Sequence, residues 1–251
     1  MNARTHWQGM MAIARFNWPF YAVATVVLLA SLAGLFVFTT VVLKLLCAAA
    51  MAGAAYFVFG SLGVSHLIYD RSDLYRWRWL DRALRGANIQ RAIFCHSGFD
   101  EASEALRARM NDVEWVILDH FDEAQMTEAS IRRARTTFPP TPGTLASAHD
   151  RWPVITESAD VVFGLLAIHE LRSEPERSAW FSEARRSLCS GGRVVLVEHL
   201  RDLANFLAFG PGFLHFHSQG SWRRAWESAG FHVVDEFCVT PWVRIFVLNA
   251  S

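Results

Sequence analysis

RAIFCHSGFDEASEALRARMNDVEWVILDH, residues 91–120, decides the fold. Its two ends, RAIFCH and EWVILD, are short apolar runs with β-branched and aromatic residues, the mark of buried strands. Between them, from about 101 to 110, lie good helix formers. Strand, helix and strand in that order make a parallel crossover unit. The alternation continues outward. A helix is expected at 127–136, ended by Pro139 and Pro140, then a weak third strand at 145–148. A fourth strand, ADVVFGLLAI, is expected at 159–168, a helix at 175–188 ending at Gly191 and Gly192, and a fifth strand, RVVLVEH, at 193–199. A long loop, 200–220, precedes a helix at 221–229 that Ser221 would cap and Gly230 would stop. HVVDEFCV and VRIFVLNA close the chain with no helix between them. The pattern predicts an α/β fold: a doubly wound, seven-stranded, mostly parallel sheet ending in an antiparallel hairpin.

Toward the N-terminus the character changes. Residues 18–38 carry no charge, and residues 41–64 carry only Lys44. Roughly twenty apolar residues cross a bilayer core as a helix. Residues 18–66 therefore read as a transmembrane helical hairpin turning at Thr39 and Thr40. Lys44, beside the turn, can snorkel to the headgroups. Ala48 with Ala52, and Ala49 with Gly53, allow two helices to approach closely. Arg4 and Arg15 precede the hairpin, and Arg71, Arg76, Arg78, Arg82 and Arg85 follow it. Both termini and the α/β domain are thus expected on the cytoplasmic side. The alternatives are a hairpin lying within one leaflet and a cleaved signal peptide. A second apolar run directly behind the first argues against the signal peptide. Leu74, Trp77, Leu80 and Leu84 recur at helical spacing among arginines, so an amphipathic connector helix is expected at the headgroups, stopped by Gly86. The expected organisation is a cytoplasmic segment 1–17, the hairpin 18–66, the connector 67–88 and the α/β domain 89–251.

The formal net charge is +0, which offers no bulk field for nucleic acid. Cys47, Cys95, Cys189 and Cys238 form no CxxC pair. A disulfide framework or structural zinc site is not expected, and a reducing compartment is. Two spans with one peripheral lysine offer a transporter no polar path.

Several stretches resemble one family. ADVVFGLLAIHEL resembles its fourth-strand segment, and RRSLCSGGRVVLVEH its Gly-Gly turn into strand five, with Ser190 where proline is usual. SWRRAWESAGFHVVDEF resembles its last helix, Ala-Gly-Phe stop and sixth strand, and YDRSDLY (69–75) is similar to a segment that closes over the cofactor. The family is the class I S-adenosylmethionine-dependent methyltransferases, in the small-molecule, type 11-like branch that includes quinone-biosynthesis enzymes. The resemblance covers about 69–249 and implies S-adenosylmethionine as cofactor. In that family strand one ends in an acid and a Gly-x-Gly-x-Gly loop whose glycines let backbone approach the ligand. Here IFCHSGFDEAS keeps only Gly98, has Phe94 at the acidic position and brings His96 into the loop. Asp100 or Glu101 could supply the missing carboxylate. Asp119 keeps the acid that would accept both ribose hydroxyls. The cofactor residues so implied are Tyr69, His96, Ser97, Gly98, Asp100, Asp119, His120, His149, Asp150 and Leu166.

Ligands of such sheets bind beyond the carboxyl ends of the strands. His96, His120, His149, His169 and His199 stand at or just past five of them, and His215 and His217 follow. Methyl transfer needs an aligned nucleophile, and a base only when that nucleophile carries a proton. His169 or His199, oriented by Glu170 or Glu198, is the expected base. Tyr75, Phe209, Phe213, His215 and His217 are expected to line an acceptor pocket, and the Phe-rich 200–220 loop could also dip into a membrane surface. No tight metal-ligand spacing such as HExxH is present, and no metal site is expected.

The expected function is a membrane-anchored methyltransferase for a small, lipophilic acceptor, with membrane lipid and no nucleic acid as partners. The alternatives are a membrane-tethered scaffold that lost cofactor binding and a metal-assisted enzyme on the same fold.

Overall fold

A computed structural model describes residues 4–250; residues 1–3 and 251, which belong to the 1–17 and 89–251 segments, lie outside the described residues. Seven strands form one sheet: β1 Arg91–His96, β2 Glu114–Asp119, β3 Leu145–Ala146, β4 Ala159–Leu165, β5 Leu188–His199, β6 Phe231–Thr240 and β7 Val243–Ala250. Their order is β3-β2-β1-β4-β5-β7-β6. β1 through β5 run parallel, while β7 pairs antiparallel with both β5 and β6. The terminal hairpin thus inserts its second strand beside β5. The order reverses between β1 and β4, which makes the crevice above them the site where such sheets take ligands.

Both faces of the sheet are covered, so its central strands are continuous apolar runs. Alternate residues feed two cores. Ile93, Cys95, Val162, Val194 and Leu196 join Trp180, Phe181, Trp222 and Trp226 from α7 (Glu174–Ser187) and α9 (Gln219–Ser228). Ala92, Phe94, Val161, Phe163, Val195 and Val197 meet α5 (Ser103–Arg109) and the connector. α7 starts with a capping box between Ser173 and Glu176, which satisfies its first amides.

The connector does not form one amphipathic helix. It breaks into a π-type turn (Leu67–Arg71), a 3₁₀ turn (Leu74–Arg76) and α4 (Leu80–Ala83). Trp77 adopts a left-handed conformation, φ 61°. Ile68, Leu74, Trp77, Trp79 and Leu80 are buried against the sheet. The helical spacing marked a buried face, but that face meets protein rather than lipid headgroups.

Three further expectations need correction. The 200–220 stretch is not an open loop: Asp202 caps α8 (Leu203–Phe209), and a 3₁₀ segment follows (Gly210–His215). Ser218, not Ser221, caps α9, because the Ser221 hydroxyl accepts from Arg177 at 2.7 Å. β4 ends at Leu165, and His169 sits in a 3₁₀ turn, Ile168–Glu170.

The N-terminal part holds α1 (Gln8–Phe16), α2 (Trp18–Val37) and α3 (Val41–His66). α2 and α3 are long and apolar enough to cross a membrane, with mean hydropathy 2.3 and 2.0 in their most apolar windows. They pack side by side, with Cys47 against Gly34 and the Tyr21 hydroxyl 3.2 Å from Ser61 Oγ. α1 is held by a carboxylate from outside itself: Asp70 accepts the amides of Gly9 (2.7 Å) and Met10 (3.1 Å). Free helix N-terminal amides need such partners.

Candidate functional site

The first cluster lies at the carboxyl ends of β1 and β2. His96 and Asp119 are register partners, so both reach the crevice edge. Gly98 turns the loop with φ +85°, and an added Cβ would lie 2.7 Å from the Phe121 ring. Only glycine fits there. Oδ1 of Asp119 accepts the amides of Gly98 (2.8 Å) and Phe121 (3.0 Å). Oδ2 of Asp119 accepts from Arg135 on α6 (Ala129–Thr137), whose guanidinium also lies over the Phe121 ring. Asp119 is 4% exposed.

His96 and Ser97 differ from their neighbours. Both are buried, and His96 Nδ1, His96 Nε2 and Ser97 Oγ have no hydrogen-bond partner among the described residues. His96 Nδ1 is 3.5 Å from Asp119 Oδ1, a charge contact rather than a hydrogen bond. Burial pushes the His96 imidazole below its ordinary pKa, against the pull of Asp119 and Asp100. Orphaned buried polar atoms are uncommon and ask for an explanation.

Above this cluster, Phe16, Phe99 and Phe138 stack edge to face, with centroids 5.3 to 6.2 Å apart. They join α1, the β1 loop and the end of α6. Asp100 accepts the Ala102 and Ser103 amides, so it serves the start of α5. Glu101 binds Arg4, Gln8 and the Tyr75 hydroxyl. Tyr75 therefore joins the N-terminal segment to the domain, with Arg4 3.8 Å over its ring.

The second cluster lies at the ends of β4 and β5. His169 Nδ1 is 2.6 Å from Glu198 Oε2. The other Glu198 oxygen accepts the amides of Ala167 (3.2 Å), Ile168 (2.9 Å) and His169 (3.2 Å), and Glu198 is fully buried. The contact with Oε2 fixes the orientation of the His169 ring. The remaining nitrogen, Nε2, is 3.8 Å from Glu170 Oε1. His215 Nε2 approaches the same oxygen at 3.3 Å, and its Nδ1 is 3.1 Å from Glu128. Burial opposes a charge on His215, but hydrogen bonds to Glu128 and Glu170 hold its pKa up at about 9. Arg172 donates to the His215 carbonyl at 2.5 Å and holds the loop down.

The histidines that the sequence groups together separate here. His199 Nδ1 donates to the Trp242 carbonyl (2.8 Å), and Nε2 accepts from the Tyr69 hydroxyl (2.8 Å). Burial pushes it down to about 4, so it stays neutral and satisfied. Phe216 lies between it and His169, with centroids at 4.8 and 5.9 Å. His120 turns into the core, donating to the Ser147 carbonyl (3.0 Å) and accepting from Trp180 Nε1 (3.1 Å). His217 is buried and lies 3.1 Å from the carbonyls of His169 and Leu171. It fastens the loop to the turn after β4. Phe209 packs edge-on against His199, and Phe213 against Phe206. His149 gives its carbonyl to Trp152, and Asp150 is exposed on the same turn. Leu166, with φ +51°, donates to the Val197 carbonyl. Sequence reasoning missed Arg135, Phe121, Glu128 and Arg172. Nothing local distinguishes Arg135 from Arg132 and Arg133 on the same helix.

No protein-family model and no curated protein matches this sequence. Solved structures do match. The mitomycin 7-O-methyltransferase is similar over 99% of this chain and 74% of its own, at 13% identity and TM-score 0.55. A SAM-dependent methyltransferase from Leishmania major is similar over 77% and 78%, at 17% identity and TM-score 0.51. One from Aquifex aeolicus is similar over 70% and 89%, at 15% identity and TM-score 0.50. The chain has the fold of the class I S-adenosylmethionine-dependent methyltransferases.

Proposed function

We propose that the chain is a membrane-anchored methyltransferase that takes S-adenosylmethionine and acts on a small, lipophilic acceptor. The observation that carries this reading is the set of three orphaned polar atoms of His96 and Ser97, buried beside the β1–β4 switch point. Buried donors and acceptors without partners are costly, and a polar ligand in the crevice would relieve them. The amino-acid end of the cofactor has the right donors and acceptors for that role. Asp119 supplies the carboxylate for a ribose diol, once Arg135 has withdrawn from its Oδ2. Gly98 keeps the backbone close enough for approach.

The bound cofactor supplies an electrophilic methyl group on a sulfonium. The residues of this chain then have three tasks. Asp119, His96 and Ser97 hold the donor. The Phe16, Phe99 and Phe138 cluster excludes water from above it. The His169, Glu170, His215 and Glu198 cluster faces the acceptor and takes its proton when it carries one.

The hydrophobic helices support the tether. α8 lies beside α3: the Tyr56 hydroxyl donates to the Leu207 carbonyl at 2.6 Å. Leu203, Phe206, Leu207 and Leu214 are exposed on that side segment. An apolar patch next to a membrane-length helix suits the headgroup boundary, with the termini and the domain on the cytoplasmic side. An acceptor dissolved in lipid would then be concentrated near the domain.

One observation favours a second reading, a tether without catalysis. Both Asp119 oxygens are engaged by the chain itself, and Phe121 packs on Gly98. Incubating the full chain in detergent with methyl-labelled S-adenosylmethionine and a membrane lipid extract separates the two. Label in an extractable small molecule supports the enzyme. Cofactor binding and label transfer both absent would leave the tether.

A further inference from the structure

We infer that His169, Glu170 and His215 form a binding site for one divalent transition-metal ion of the zinc class. One ligand atom from each of the three lies within 4.8 Å of the others. The two imidazoles converge by the same device. His169 Nδ1 is bound to the Glu198 carboxylate at 2.6 Å, and His215 Nδ1 to the Glu128 carboxylate at 3.1 Å. Each leaves Nε2 turned toward Glu170 Oε1, at 3.8 Å for His169 and 3.3 Å for His215. Metal-ligating histidines commonly give their other N–H to a carboxylate, which fixes the tautomer and makes the ligating nitrogen more basic. Here both do.

The outer support is unusually rigid for one of them. Glu198 is fully buried, and its second oxygen is held by three backbone amides. The ring of His169 therefore cannot turn without giving up its 2.6 Å contact with a carboxylate that is itself fixed. Charge agrees with a dication. Glu128, Glu170 and Glu198 bring three negative charges, Arg172, 3.3 Å from His215 Nδ1, brings one positive charge, and His215 brings a second that the ion replaces when it displaces the Nε2 proton. Two imidazoles and one carboxylate suit Zn²⁺, Co²⁺ or Fe²⁺ better than Mg²⁺ or Ca²⁺, which prefer all-oxygen sites. Three protein ligands leave a position open to water or to an oxygen of a small molecule.

The ligands come from two places that sequence distance separates: the turn after β4 and the 3₁₀ segment after α8. That is why no short spacing announces the site. Binding of the ion needs nothing from the cofactor crevice. Its consequence for chemistry rests on the proposed function: a hydroxyl of the acceptor bound at the open position would lose its proton more readily. His169 would then be a ligand rather than the base.

The test uses the full chain in detergent, stripped with chelator and titrated with CoCl₂. The expected result is one equivalent bound, with the visible ligand-field absorption of imidazole-ligated Co²⁺, displaced by ZnCl₂. H215A and E170Q are each expected to weaken binding at least a hundredfold. E198Q, which keeps the ring but loses its charge partner, is expected to weaken it about tenfold to a hundredfold. Equal Co²⁺ affinity in H215A and the native chain would overturn the assignment. If H215A fails to fold, the native spectrum decides: absorption without imidazole ligation rejects the site. Cofactor titration of the same samples reports separately on the crevice, so failure of one reading is not failure of the other.

Discussion

Arg135 donates to Oδ2 of Asp119, the oxygen that a ribose would need, while Oδ1 holds the Gly98 and Phe121 amides. The carboxylate proposed for the ribose is therefore countered from α6 within the same chain. Arg135 is one third exposed, so it can leave for solvent more easily than Asp119 can. A partly exposed pair of this kind contributes about 1 kcal/mol.

Removing that competitor should help the ligand. Arg135→Gln is expected to tighten S-adenosylmethionine about fivefold, read by calorimetry on the full chain. The same substitution should lower thermal stability slightly, because Asp119 loses its partner. Weaker cofactor binding in Arg135→Gln would mean that Arg135 helps to hold the cofactor instead.

Gly98→Ala tests the turn. The residue sits at φ +85°, and its new methyl would meet Phe121 at 2.7 Å. A cost of about 2 kcal/mol is expected from strain and contact together, measured by denaturant unfolding. Native-like stability would show that Phe121 moves aside without penalty.

Acid should unfold the domain through its neutral buried histidines. His199 and His120 are both pushed by burial from 6.5 down to about 4. A group with a depressed pKa binds its proton more readily in the unfolded chain, so stability falls as pH falls. Their contribution is full above about 6.5 and is lost progressively toward 4, on the order of 3 kcal/mol for each. Melting temperature followed from pH 7 to pH 4 should drop along that window. In His120→Gln the drop should be shallower, and an unchanged pH slope in that variant would exclude His120 as a source.

Glu198→Ala should be among the most damaging changes near the site. It strands three backbone amides and the His169 ring nitrogen in a buried place. A loss of about 3 kcal/mol or more is expected from unfolding measurements. A loss below 1 kcal/mol would contradict the buried network.

The sheet was legible because its signal is local. β1 and β2 match their predicted bounds, since apolar runs between turn residues need no partner to be seen. The terminal hairpin could be read from two strands with no helix between them. The connector was misread because a buried apolar face and a lipid-facing one have the same periodicity. His120 and His199 stood at strand ends as catalysts do, yet the backbone turns them to carbonyls, Trp180 and Tyr69. The meeting of His169 with His215, and of Asp119 with Arg135, is a tertiary fact: 46 and 16 residues of chain separate each pair. No spacing rule carries such partners.

The central proposal is that the β1–β4 crevice takes an adenosyl sulfonium. The most direct test is calorimetric titration of the full chain in detergent with S-adenosylmethionine, beside Asp119→Asn, which keeps the shape of the side chain and removes its charge. The account predicts saturable one-to-one binding to the native chain and at least tenfold weaker binding to the variant. No heat of binding in either the native chain or Arg135→Gln would contradict it.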